Sequence, residues 1–138
     1  MTKEEKQLLL RDLSARLPYG VICTDSRHGD SRLTDIDTVD ETVYCDDFDE
    51  YVELGKIKPY LRSMSSMTDK ERTELKKLCE EDLSEFAGFI RNGHRLSHDG
   101  LYMFDKLRQL EFCLSHHFDY RGLIEKGLAI EAPEGMYN

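Results

Sequence analysis

A chain of 138 residues with 39% hydrophobic and 34% charged side chains suffices for one cooperative core but not for two well-buried ones. No apolar run approaches the roughly 20 residues of a membrane span, and the opening Met1-Thr2-Lys3-Glu4-Glu5-Lys6 lacks the apolar stretch of a secretory signal, so a cytoplasmic location without membrane contact is expected. The net charge of −9 argues against direct binding to nucleic acid, whose phosphates call for clustered Lys and Arg.

The first predicted element is a helix over residues 1–17. Thr2 followed three residues later by Glu5 is a capping box, Leu9, Leu10, Leu13 and Leu17 recur at helical spacing, and Pro18 ends the run. The texture then turns to short β-like runs. Residues 20–24 lead into a polar turn around His28-Gly29-Asp30, and residues 33–37, 42–45 and 51–54 follow, the last stopping at Gly55. Short strands separated by turn signals predict an antiparallel meander of three to four strands between residues 20 and 62. Residues 57–61 read as an edge strand or an extended connector, because Pro59 has no N–H to give to a ladder.

A helical half is predicted over residues 68–132. Thr68 and Glu71 form a second capping box, Leu75, Leu78, Cys79, Leu83, Phe86 and Ile90 follow at helical spacing, and Gly93 is a stop signal; Asp82 and Ser84 leave open whether this span is one helix or two. Another helix is expected from near Asp99 to about Ser115, on the period of Phe104, Leu107 and Leu114. Asp119 then reads as the cap of a short last helix, with Phe118 and Leu123 placed as a hydrophobic staple and Gly127 as its end. Residues 128–132 are a possible final strand and 133–138 a tail. The fold class is α+β in a single domain: a helix, a small antiparallel sheet, then helices.

Three stretches resemble a set of short proteins without assigned activity from genomes of anaerobic gut bacteria and their phages and mobile elements. They are residues 8–21, with Ala15-Arg16-Leu17-Pro18-Tyr19-Gly20 at their centre; residues 57–68, which begin Ile57-Lys58-Pro59-Tyr60-Leu61; and residues 116–138, which open His116-His117-Phe118-Asp119-Tyr120-Arg121-Gly122 and close Glu134-Gly135-Met136-Tyr137-Asn138. Together they cover about half the chain. The resemblance implies a genomic setting and a common scaffold, and it carries over no functional residue.

Four cysteines, Cys23, Cys45, Cys79 and Cys113, form no CxxC pair and are expected as buried, reduced thiols. His94 and His98 are four apart but fall in a predicted loop, which removes the one-face geometry of a metal-binding pair; His116 and His117 are explained by the negative end of the preceding helix. Neither pair is assigned a metal, and no cofactor is expected. No nucleophile elbow accompanies any Ser, Cys or His, so no catalytic residue is named.

Charge placement is more informative. Of 28 acidic residues, nine lie between Asp35 and Glu53 (Asp35, Asp37, Asp40, Glu41, Asp46, Asp47, Asp49, Glu50 and Glu53) with no Lys or Arg among them, which leaves 19 acids against 19 bases elsewhere. A calcium loop begun at Asp35 fails, because Val39 and Asp40 occupy its fifth and sixth positions. Carboxylates in such numbers also supply pairs for hydrolysis, but that chemistry needs two acids with divergent environments in one cleft. Tyr44, Phe48 and Tyr51 interleave with the acids, and packing of these rings into the core is preferred over a role as interface anchors.

The bland reading of the segment is a solvated acidic face. Its functional counterpart is a non-catalytic accessory protein whose nine carboxylates dock on a basic protein surface. One alternative is a nucleic-acid mimic that blocks a DNA- or RNA-binding protein; another is a small enzyme or ligand binder with a pocket containing His94, His98 or His116.

Overall fold

The computed structural model describes residues 1–78 and 98–137, with side chains over 1–78 and 107–137. The chain divides into two compact units, Met1–Met64 with Leu114–Asn138, and Ser65–Cys113.

The first unit opens with helix α1 (Lys3–Arg16), and the Thr2–Glu5 capping box is formed in both directions. The Glu5 N–H donates to Thr2 Oγ1 at 3.1 Å, satisfying one of the donors that a helix start leaves without an intrahelical partner. The buried residues of α1 are Leu9, Asp12, Leu13 and Arg16, one stripe at spacings of three and four. Two of the four are charged. Arg16 donates through Nε to Asp12 Oδ2 at 2.6 Å and through Nη2 to the Phe118 carbonyl at 2.7 Å, while Arg121 Nε stands 3.3 Å from Asp12 Oδ1. A 3₁₀ turn, Leu17–Tyr19, with Pro18 inside it, ends the helix, and Gly20 (φ 72°) redirects the chain.

Six strands follow in one sheet: β1 (Ile22–Asp25), β2 (Gly29–Asp37), β3 (Thr42–Cys45), β4 (Val52–Glu53), β5 (Lys58–Leu61) and β6 (Ile130–Glu131). Their spatial order is β4-β3-β2-β1-β5-β6. The antiparallel meander expected from sequence is β1 to β4, but the sheet is larger than the expected three to four strands. The chain crosses from β4 over to the far side of β1, where β5 pairs antiparallel to β1 and parallel to β6, so the sheet is mixed. β6 pairs only with Tyr60 and Leu61, so Pro59, which lacks an N–H, lies outside the β5–β6 ladder.

Leu9 and Leu13 of α1 join Val21, Cys23, Leu33, Val43, Cys45, Val52, Ile57 and Leu61 in one buried cluster that also takes in Leu123 and Leu128. Each such leucine, fully removed from water, stabilises the fold by about 1.5–3 kcal/mol. Cys23, Cys45 and Cys113 are buried, and Cys79 lies outside the described residues.

In the second unit, helix α2 occupies residues 69–78, with the Thr68–Glu71 box formed (Glu71 N–H to Thr68 Oγ1, 3.2 Å). Leu83, Phe86, Ile90, Gly93 and His94 lie outside the described residues. Helix α3 spans His98–Ser115, close to the expected bounds, and its last two residues belong to the first unit.

Beyond α3 the predicted short helix is replaced by turns. Asp119 caps as expected, accepting from the Leu123 N–H (2.8 Å) and the Ile124 N–H (3.0 Å). Gly122 and Gly127, both at φ 73°, break the right-handed path that a helix needs. Residues from Pro133 onward, read from sequence as a tail, end on Tyr137, whose hydroxyl donates to the Tyr60 carbonyl (2.7 Å) and accepts from the Ile22 N–H (2.9 Å).

Candidate functional site

Strand alternation and one bulge decide where the acidic segment points. In the β2–β3 ladder Leu33 pairs with Cys45 on the core face, and the register then shifts, so that Asp35 pairs with Tyr44, Ile36 with Val43 and Asp37 with Thr42. Without the shift, alternation from Leu33 would turn Asp35 and Asp37 into the core. The bulge reverses the phase at Thr34, whose hydroxyl donates to the Tyr44 carbonyl at 3.2 Å, and sends Asp35 and Asp37 outward while Ile36 packs against the core.

Directly opposed residues of an antiparallel pair share a face. Thr42 pairs with Glu53 and Val43 with Val52, so the outer face carries Asp35, Asp37, Thr42, Tyr44 and Glu53, and the core face carries Ile36, Val43 and Val52. Tyr51 joins the outer face: its ring centroid lies 5.3 Å from that of Tyr44, and its hydroxyl donates to Asp35 Oδ2. That bond to a carboxylate raises the Tyr51 pKa. Asp37 Oδ1 accepts from the N–H groups of Val39 and Asp40, both at 3.0 Å, and so shapes the β2–β3 turn. Glu41, in the left-handed region at φ 54°, closes that turn and offers its carbonyl to the Leu54 N–H at 3.0 Å. Val39 at the tip is 88% exposed and Tyr51 is 50% exposed, whereas Phe48 is buried. The expected core role of the aromatics therefore holds for Phe48, holds in part for Tyr44, which is half-buried against the core cluster, and not for Tyr51.

The other acids, Asp46, Asp47, Asp49 and Glu50, sit at the opposite end of β3, beside the β1–β2 turn. Here each meets a partner. Arg32 Nη2 stands 3.3 Å from Asp46 Oδ2, Arg27 Nη1 donates to Glu50 Oε1 at 2.8 Å, and Ser31 Oγ accepts from the Asp47 N–H at 2.8 Å. His28 joins two carboxylates, with Nδ1 2.7 Å from Asp25 Oδ2 and Nε2 2.8 Å from Asp49 Oδ1, and its ring stacks on Phe48 at 4.7 Å. The bond to Asp25, followed by that to Asp49, raises the His28 pKa; the same bond from His28 lowers that of Asp49.

The nine acids predicted as one docking set therefore fall into two groups. Asp46 and Glu50 face arginines, Asp49 faces His28 and Asp47 accepts from the Ser31 hydroxyl at 3.3 Å. Asp35, Asp37, Asp40, Glu41 and Glu53 make no ion pair among the described residues. Exposed pairs such as Arg27–Glu50 contribute only about 0–1 kcal/mol each, but they cancel local potential.

Of the histidines expected to line an alternative pocket, His116 stacks on the Phe118 ring at 6.3 Å. His94 lies outside the described residues and His98 begins α3. His117 is buried at φ 63° and stacks on the Tyr137 ring at 3.7 Å. Burial and then the Arg16 guanidinium push its pKa down to about 4, so it is neutral at pH 7 and its placement owes nothing to a charge at the helix end. His28, which from sequence is only part of a turn, instead bridges two carboxylates. Its partners Asp25 and Asp49 are 3 and 21 positions away, and the nearer carboxylate was the one sequence signal available. No protein-family model matches the chain, and no curated protein or solved structure shows significant similarity to it.

Proposed function

We propose that the chain is a non-catalytic accessory protein, of phage or mobile-element origin, that docks on a basic protein surface through the outer face of β2, β3 and β4 and the β2–β3 turn. One observation carries this reading: Asp35, Asp37, Asp40, Glu41 and Glu53 lie without a cationic partner among the described residues around exposed Tyr51 and Val39. Unscreened like charges on one face raise the rate of encounter with an oppositely charged partner and fix its register. Tyrosine is among the residue types that anchor the centre of an interface. The phage or mobile-element setting rests on the resemblance of residues 8–21, 57–68 and 116–138.

The test compares the wild type with the Asp40→Lys, Glu41→Lys, Glu53→Lys triple variant and with an Asp46→Lys, Asp47→Lys control at the other end of β3. A partner captured from the native host, released by salt, kept by the control and lost by the triple variant supports the reading. Identical capture by all three folded proteins refutes it. Competition of that partner by a duplex oligonucleotide reads whether the carboxylates stand in for phosphates.

A further inference from the structure

The geometry points to a second site, whose ligands are distinct from the docking residues: a divalent transition-metal centre of the zinc type, with His28 Nε2, Asp49 and Glu50 as its protein ligands and Asp25 as the residue that positions His28. One ligand atom from each of the three lies within 4.8 Å of the others. Nε2 stands 2.8 Å from Asp49 Oδ1 and 3.7 Å from Glu50 Oε1. Ligands held at about 2.0–2.1 Å around a tetrahedral ion stand about 3.4 Å apart, so the two observed spacings bracket the required one and small rotations of two exposed carboxylates reach it.

Three further features separate this constellation from a chance meeting of surface acids. The donor set is mixed, one imidazole nitrogen with two carboxylates, which suits a borderline ion rather than calcium or magnesium. His28 has a side chain only 9% exposed, and the far side of its ring is engaged by Asp25, whose side chain is 5% exposed, at 2.7 Å. A buried carboxylate accepting from Nδ1–H leaves Nε2 as the coordinating atom and fixes the ring's direction, the outer-sphere arrangement that accompanies histidine ligands. The stacked Phe48 ring restrains the same imidazole from its face.

The third feature is access. Three protein ligands leave a fourth position open, as zinc sites that bind an exogenous ligand do. A cleft of about 450 Å³ adjoins the cluster, lined by His28, Glu50, Arg27 and Lys56 and, on the side of β4, by Tyr51 and Glu53. Its two cations suit an anionic or water-derived fourth ligand. On binding, the ion takes up the position between Nε2 and Asp49 Oδ1, any proton held there leaves to solvent, and the Arg27 guanidinium leaves Glu50 for the cleft.

Protein stripped with a chelator and titrated with zinc chloride in a calorimeter tests the assignment, with magnesium and calcium chlorides as comparison ions. The expected result is one zinc ion per chain, a raised thermal midpoint and a shift of the His28 ring resonances. Affinity should fall at least tenfold in Asp49→Asn, Glu50→Gln, whose side chains are 77% and 49% exposed and not needed for folding. Asp25→Asn should weaken binding about 10–100-fold. Zinc binding unchanged in the carboxylate variant, no zinc binding at all, or a preference for magnesium or calcium would each overturn the assignment. An Asp40→Lys, Glu41→Lys variant changes neither the three ligands nor the lining of the cleft, so loss of either site leaves the other measurable.

Discussion

Removing the Asp12 carboxylate is the sharpest perturbation the fold offers. Asp12 and Arg16 are both fully buried on the core stripe of α1, and Asp12→Ala leaves an Arg16 guanidinium in the interior with only the Phe118 carbonyl as acceptor. Arg16 Nη1 already has no hydrogen-bond partner among the described residues, so nothing nearby is placed to take over the lost charge. Breaking one side of a buried pair costs about 3–5 kcal/mol, against a total of about 5–15 kcal/mol for a typical domain. Urea unfolding followed by circular dichroism should therefore show the midpoint falling by about a fifth or more with the slope unchanged. The Asp12→Leu, Arg16→Met double variant removes both charges and should recover most of the loss, short of about 1–3 kcal/mol for the Phe118 carbonyl left without its donor. A single variant within about 1 kcal/mol of wild type, or a double variant worse than the single, would refute the reasoning.

Two smaller perturbations probe the C-terminal turns. His117 is neutral in the fold with a pKa of about 4, whereas the unfolded chain protonates it near 6.5. Its contribution is therefore intact above about pH 6.5 and is lost as pH falls towards 4, by up to about 1.4 kcal/mol per pH unit; denaturant midpoints for wild type minus His117→Phe, measured from pH 7 to 4, should show that slope, and parallel curves would contradict it. Asp119→Ala removes two bonds to backbone N–H groups, one on buried Leu123, and should destabilise by about 1–3 kcal/mol in the same assay.

What the sequence made legible was what local chemistry determines. The Thr2–Glu5 and Thr68–Glu71 boxes, the strand runs of the meander and the capping role of Asp119 all depend on neighbours within a few positions. Features that depend on distant partners stayed hidden. The β5–β1 and β5–β6 pairings join segments far apart in sequence, and nothing in residues 57–61 names the partner. The bulge at Thr34 is a property of two strands in register, yet it alone explains why Asp35 and Asp37 face solvent. Asp12 and Arg16 look from sequence like an ordinary surface pair four apart; only Phe118 and Arg121, brought in from more than a hundred positions away, make them core residues. The acidic segment was recognised whole, and its division was not, because Arg27, His28 and Arg32 reach it by folding of the β1–β2 hairpin rather than by sequence proximity.

The sheet's two margins also restrict how anything can attach to it. Both outermost strands, Val52–Glu53 and Ile130–Glu131, are two residues long. Recognition by β-augmentation needs a longer row of main-chain donors and acceptors on which a guest strand can zip. Here a visiting extended peptide would find too few rungs, and so would a second copy of the sheet. A partner that binds at these margins must read side chains, and the same brevity guards the sheet against edge-to-edge polymerisation.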